Sequence, residues 1–183
     1  YADGNITQRD GYLNVFSINL TEKDSYLVYR LKNALNYSGK ITVRRYKNKK
    51  YDPAHSLQIC CKKLSADLIK HGVVLRKSTV LRFPQTVDES LIRHFIRGYF
   101  DGDGSVGIYG DNKNKPQFCV ASSSFFIEKL RERLSPIVGT VGYLSDRGNY
   151  HVVTYAGKKR TIAFRDYIYK GATIYLERKR AIF

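Results

Sequence analysis

Two short acidic stretches hold the residues best suited to chemistry: Ala2-Asp3-Gly4 at the start of the chain and Asp101-Gly102-Asp103-Gly104 past its middle. Hydrolysis of a phosphodiester needs a nucleophilic water, neutralised charge at phosphorus and help for the departing oxygen. Divalent cations held by carboxylates supply all three. The residues before the second stretch, Leu91 to Phe100, follow a helical pattern, with Leu91, Phe95 and Gly98 on one stripe and Ile92, Ile96 and Tyr99 beside it. The glycines at 102 and 104 are expected to break this helix and leave Asp101 and Asp103 at its C-terminal end. That end carries partial negative charge, so carboxylates are poorly placed there for stability alone, and a cation would relieve them. Gly98 has no side chain and lets another backbone come close. A calcium loop counted from Asp101 is excluded by spacing, because Val106 stands where glycine is needed and Asn112 where glutamate is needed.

The elements that must position these acids come in a repeated order. Asn5 to Gln8 and Tyr12 to Asn19 alternate like the arms of a hairpin, and Thr21 is expected to cap a helix that buries Tyr26, Leu27, Leu31 and Leu35. Gly39 to Tyr46 and His55 to Cys61 form a second hairpin around a basic turn, and Lys62 to His71 a second helix. After residue 91 the order returns: hairpin 105–122, helix 123–137, strands 139–145 and 150–156, helix 158–170 and a basic tail. Asp3 and Asp103 stand one hundred positions apart, each followed by glycine, and Gly39-Lys40-Ile41 answers Gly139-Thr140-Val141. Leu75-Arg76-Lys77 answers Leu176-Glu177-Arg178-Lys179. A period near one hundred means paired half-domains, not a solenoid.

Ile96 to Gly104, IRGYFDGDG, resembles the LAGLIDADG motif of homing endonucleases, with Gly98 at its central glycine and Asp101, Asp103 and Gly104 at its closing acids and glycine. Tyr1 to Gly4, YADG, is similar to the tail of a first such motif, although Tyr1 departs from the usual acid. The resemblance implies an α+β fold of two pseudo-symmetric αββαββα half-domains, residues 1–84 and 85–183. Motif helices pack at the centre and antiparallel β saddles lie on DNA. It implies a first motif helix upstream of Tyr1, for which about 10 further residues suffice. It assigns metal binding to Asp3 and Asp103 with the carbonyls of Ala2 and Gly102, while Asp101 caps or packs. It places a catalytic lysine near each acid, and position points to Lys77 and Lys179, with Lys62 and Lys158 as substitutes. The cofactor is Mg²⁺ or another divalent cation such as Mn²⁺, and the enzyme type is monomeric.

Charge supports a polyanionic partner. Lys and Arg number 32 against 16 acids in 183 residues, a formal net charge of +16, which suits nucleic acid. A basic ribosomal or membrane-surface protein is the other class that this excess admits. A β-ribbon fits the major groove, where Arg or Lys reads guanine. The basic turn of Arg44, Arg45, Lys47, Lys49 and Lys50 is the main phosphate candidate, joined by Arg9, Lys113, Lys115 and Arg147 at the other hairpins. Cys60, Cys61 and Cys119 form no CxxC pair, which points to a reducing intracellular compartment, cytoplasm or organelle, and to no zinc site. No apolar run has the length of a membrane span. The expected function is a site-specific double-strand DNA endonuclease. The alternatives are a maturase that binds intron RNA and a DNA-binding regulator whose nuclease site has decayed.

Overall fold

The computed structural model describes residues 2–9, 12–48, 50–74, 81–110 and 114–183. The chain divides into two compact units, Asp3–Leu75 and Arg76–Phe183.

In the first unit β1 (Gly4–Arg9) and β2 (Tyr12–Thr21) make the expected hairpin. They are followed by α1 (Tyr26–Ala34), β3 (Thr42–Arg44), β4 (Ala54–Cys60) and α2 (Lys62–Lys70). The sheet is antiparallel throughout, in the order β1-β2-β4-β3. Alternation puts Ile6, Leu57 and Ile59 inward. Val28 of α1 closes a small core on Leu57 and Ile59, with Phe16, Ile18, Leu20, Leu31 and Leu64 packed around it. Two expectations change. Thr21 ends β2 opposite Ala54 instead of capping a helix, and a 3-10 turn at Glu22–Asp24 delays α1 until Tyr26. Leu35, expected on the buried face, is 45% exposed just past the end of α1 at Ala34, and the residues of α1 that are buried are Leu27 and Val28.

The second unit opens with α3 (Ile92–Asp103) and continues through β5 (Gly104–Tyr109), β6 (Lys115–Ser122), α4 (Ser124–Val138), β7 (Tyr143–Asp146), β8 (His151–Ala156), α5 (Lys158–Tyr169) and a short α6 (Glu177–Arg180). Its antiparallel sheet, β5-β6-β8-β7, repeats the wiring of the first. Phe118, Val120, Val153 and Tyr155 face inward and are buried. The Phe118 ring lies between Phe164, at 4.0 Å and 5°, and Tyr155, at 4.8 Å and 14°. Phe100 of α3 meets Phe164 edge-on at 5.0 Å. Leu81 and Phe83 are buried in this unit: Phe83 sits 5.2 Å from Phe95, and Ser123, the N-cap of α4, donates its hydroxyl to the Leu81 carbonyl. Residues 81 and 83, placed in the first half-domain by the sequence division, therefore pack with the second unit.

The end of α3 differs from expectation. The helix does not break at Gly102 but runs through it to Asp103, and only Gly104 turns extended, with φ −78° and ψ 161°. A Cβ at Gly104 would collide with the Phe100 ring and carbonyl oxygen, so the chain can leave the helix here only without a side chain. Gly98 is exposed, and apart from its chain neighbours and the backbone of its own helix no atom of the described residues lies within 4 Å of where its Cβ would be.

Candidate functional site

Asp103 is the last residue of α3, and its side chain is exposed. The face of α3 beneath it is buried through Ile96, Tyr99 and Phe100. Tyr99 lies one turn before Asp103, with its hydroxyl 2.9 Å from Ser122 Oγ and 3.2 Å from the Ala121 carbonyl. Burial holds the Tyr99 phenol protonated well above its usual range, and the negative charge of Asp103 adds to that effect. An exposed carboxylate is thus mounted at the end of a well-packed helix.

The neighbouring Asp101 points the other way. Its Oδ1 accepts the Tyr169 hydroxyl at 2.5 Å and its Oδ2 accepts the Leu176 N–H at 3.0 Å. Burial pushes its carboxyl up from the ordinary range, while these hydrogen bonds and the nearby Lys179 and Arg97 pull it back. Asp101 is a packing and capping residue, as its place in the motif implied.

Lys179, expected near the reacting atoms, is 5% exposed. Its Nζ donates to the carbonyls of Phe100 (2.8 Å), Asp101 (2.8 Å), Gly102 (3.2 Å) and Gly104. The ammonium therefore serves the backbone at the end of α3. The carbonyls of Asp101 and Gly102 belong to the last turn of α3, where a helix leaves carbonyls short of internal partners, whereas Phe100 O also accepts the Gly104 N–H. Further guanidiniums on α3 hold the tail: Arg97 donates to Ile174 O at 3.0 Å and Ile168 O at 3.2 Å, and Arg93 to Lys170 O at 3.1 Å. Sequence reasoning counted these arginines only as surplus charge.

Asp3, in the first unit, is exposed just ahead of β1. Ala2 is half-buried. Lys77 lies outside the described residues. Lys62 and Lys158 are exposed first residues of α2 and α5. The donor set fits a hard cation, since the Asp103 carboxylate and the Gly102 carbonyl are both oxygen ligands. Among the described residues no group of three His, Cys, Asp or Glu side chains could hold a metal ion.

Arg44, Arg45, Lys47 and Lys50 are all exposed around the turn between β3 and β4, with the Arg44 guanidinium 5.1 Å over the Tyr46 ring. Arg9 ends β1 opposite Tyr12. Lys115 begins β6 and is exposed, as is Arg147 in the turn between β7 and β8. Lys49 and Lys113 lie outside the described residues.

The outer sheet faces were missed. On the first sheet the cross-strand rows are Asn5–Ser17–Gln58, Asn19–Ser56–Thr42 and Thr21–Ala54–Arg44, with Arg44 the one charge in them. On the second they include Ser105–Cys119–Thr154–Tyr143, Gly107–Gln117–Ala156, Tyr109–Lys115 and Ala121–Val152–Ser145. Strand alternation carried to its outward parity would have found these amides and hydroxyls.

Residues 90–172 match the model of the LAGLIDADG-like domain. No curated protein matches the chain. Among solved structures, the homing endonuclease I-WcaI bound to its DNA recognition sequence aligns over 99% of this chain and 80% of its own, at a TM-score of 0.64 and 11% identity. I-LtrWI, a LAGLIDADG homing endonuclease bound to target DNA, aligns over 98% and 82%, at 0.57 and 13%. The LAGLIDADG meganuclease I-AabMI bound to uncleaved DNA aligns over 99% and 84%, at 0.55 and 14%. At such identities the likeness is one of fold. The protein carries a LAGLIDADG-like domain at residues 90–172, in a chain with the fold of the LAGLIDADG homing endonucleases.

Proposed function

We propose that the chain is a site-specific endonuclease that hydrolyses double-stranded DNA with Mg²⁺ or Mn²⁺, acting as a monomer of two half-domains in the mobility of an intron or intein. The observation that carries this reading is Asp103, an exposed carboxylate held at the end of a buried helix, in a strongly basic chain. Two carboxylates facing phosphates would repel DNA, so their value lies in cation binding. Asp103 with the Gly102 carbonyl, and Asp3 with the Ala2 carbonyl, are the groups that would bind metal. When bound, the cation would supply charge neutralisation at phosphorus and an activated water. Lys77 is proposed to act near Asp3.

The protein's own contribution to DNA binding divides by chemistry. Arg44, Arg45, Lys47, Lys50, Lys115 and Arg147 stand exposed at strand ends and turns and suit phosphates. The outer rows of the sheets hold neutral amides and hydroxyls. Asn and Gln pair bidentately with adenine N6 and N7, and Ser and Thr are more permissive. Base reading is therefore assigned to Asn5, Asn19, Gln58 and Gln117.

Cleavage of a randomised-site duplex library with Mg²⁺, by the parent and by Asp103→Asn, tests the reading. The substitution keeps the shape and removes a charge and a ligand. Double-strand cleavage should fall by about a thousandfold, the scale of one electrostatic contact in a transition state, while metal-free DNA binding holds or tightens. A parent that binds duplex or intron RNA without cutting DNA would instead be a regulator or a maturase.

A further inference from the structure

The tail after α5 and the end of α3 are tied in both directions. Asp101 on α3 accepts the Leu176 N–H of the tail, and Lys179 of the tail donates to the carbonyls around Asp101. Phe183 packs 5.8 Å from the Phe100 ring and 6.0 Å from Tyr169, so the tail is fixed beyond Lys179 as well. The Lys179 ammonium carries three protons and faces four oxygens, those of residues 100, 101, 102 and 104, so at least one proton is shared between two of them. Burying an ammonium is costly unless it is hydrogen-bonded. Here the partners are the carbonyl ends of a helix, which carry partial negative charge and attract a cation. Its contacts also explain why α3 passes through Gly102 without breaking, because the carbonyls of that turn have a donor.

We propose that Lys179 is a positioning residue: an internal cation that seals the C-terminus of α3 and fixes the backbone carrying Asp103 and the Gly102 carbonyl. It acts on the site through that backbone and not on the reacting atoms. Its link to cleavage rests on the reading of Asp103 as a metal ligand; its structural part does not. Charge is the essential feature. The four-carbon stem fills space, but a methionine would fill it nearly as well and would take the ammonium's hydrogen bonds from the carbonyls, leaving Phe100 O with the Gly104 N–H alone among those described.

The test is amide exchange in the last turn of α3, where the Gly104 N–H donates to Phe100 O. In Lys179→Ala that turn should open about a hundredfold more often, the scale of losing hydrogen bonds to a charged group. Added n-propylammonium, the fragment deleted by the substitution, should restore protection, and 1-propanol, equal in shape but uncharged, should not. Lys179→Met should behave like the alanine variant. Parental protection in Lys179→Met would reduce Lys179 to packing and overturn the proposal. Where Lys179→Ala does not fold, the parent decides: an amine-acylating ester should modify Lys179 at least about tenfold more slowly than Lys63, in line with the opening needed for access. Lys63 has a side chain that is 84% exposed. Equal rates would overturn the proposal. On a duplex that the parent cuts, Lys179→Ala should lower kcat with KM unchanged, and n-propylammonium should restore it. A kcat loss in Lys179→Met with exchange unaltered would put the ammonium on the reacting atoms. A parent that cuts no duplex fails the endonuclease reading alone, since neither exchange nor acylation uses DNA.

Discussion

The two units share one wiring and differ in what fills it. Both place a hairpin, a helix, a second hairpin and a helix on one antiparallel sheet, in the orders β1-β2-β4-β3 and β5-β6-β8-β7. Of the twelve largest fully buried side chains among the described residues, only Leu57 belongs to the first unit. The first core is aliphatic and small, built on Val28, Leu57 and Ile59. The second is aromatic, with Phe100, Phe118, Phe126, Phe164 and Tyr155 all buried. Topology needs only strand alternation and turns in the right places, whereas stability scales with the apolar area removed from water. One architecture can therefore carry a well-buried half and a lighter one.

The outer faces differ in the opposite sense. The lighter unit presents more amides, through Asn5, Asn19 and Gln58, while the rows of the heavier one offer Gln117 between small residues, with Tyr109, Lys115 and Tyr143, which is 74% exposed. If these amides read bases as proposed, the unit with the larger core is expected to be the less exacting reader.

The sharpest way to break this comparison is in the cores. Phe118→Ala should destabilise the second unit by about 3–5 kcal/mol, through lost burial and a cavity between two rings. Leu57→Ala should cost the first unit about 2–5 kcal/mol and, from a smaller reserve, unfold it at a lower denaturant concentration. Urea melts followed by exchange in each unit would show this; a single joint transition unaffected by the choice of unit would sink the idea. Next in size is phosphate binding. Neutralising Arg44, Arg45 and Lys47 together should make the log-affinity against log-salt slope shallower by about 2.7, at about 0.9 per phosphate contact. An unchanged slope would remove that turn from the interface.

Smaller effects sharpen the contrast of the faces. Gln58→Ala or Asn5→Ala should each relax base preference at one position by about 1–3 kcal/mol. Gln117→Ala should do so at a single position of the other half-site, as read by binding to a library of single-base variants. Equal tolerance across both half-sites in the parent would end the claim that the first sheet is the more exacting reader. The smallest effect concerns Tyr155, whose buried hydroxyl has no hydrogen-bond partner. Burial pushes its phenol up to about 12. A folded-state value above the unfolded one favours the fold fully below the unfolded value of 10.0 and is lost as pH rises through about 12. Tyr155→Phe should flatten that alkaline loss and, at neutral pH, raise stability by about 1 kcal/mol by deleting an unpaired polar group. Alkaline denaturation curves of both proteins measure it.

Much of this molecule was legible from residue order alone. Alternation and turn residues determined both four-stranded sheets, and the helical pattern at Leu91 to Phe100 with the hundred-residue repeat located Asp3 and Asp103. These features are local, with periods of 2 and 3.6 residues, and need no partner to be recognised. What only tertiary structure decided lies in contacts between distant residues. Lys179 is one of many basic side chains in the sequence, and nothing near it foretells that its ammonium seals carbonyls 75 to 79 positions away. The same holds for Arg93 and Arg97, for the delayed end of α3 at Gly104, and for Leu81 and Phe83 packing with the second unit. Such outcomes follow from which orphaned backbone groups the packing brings within reach of a donor, and a charge has no destination until the chain has folded around it.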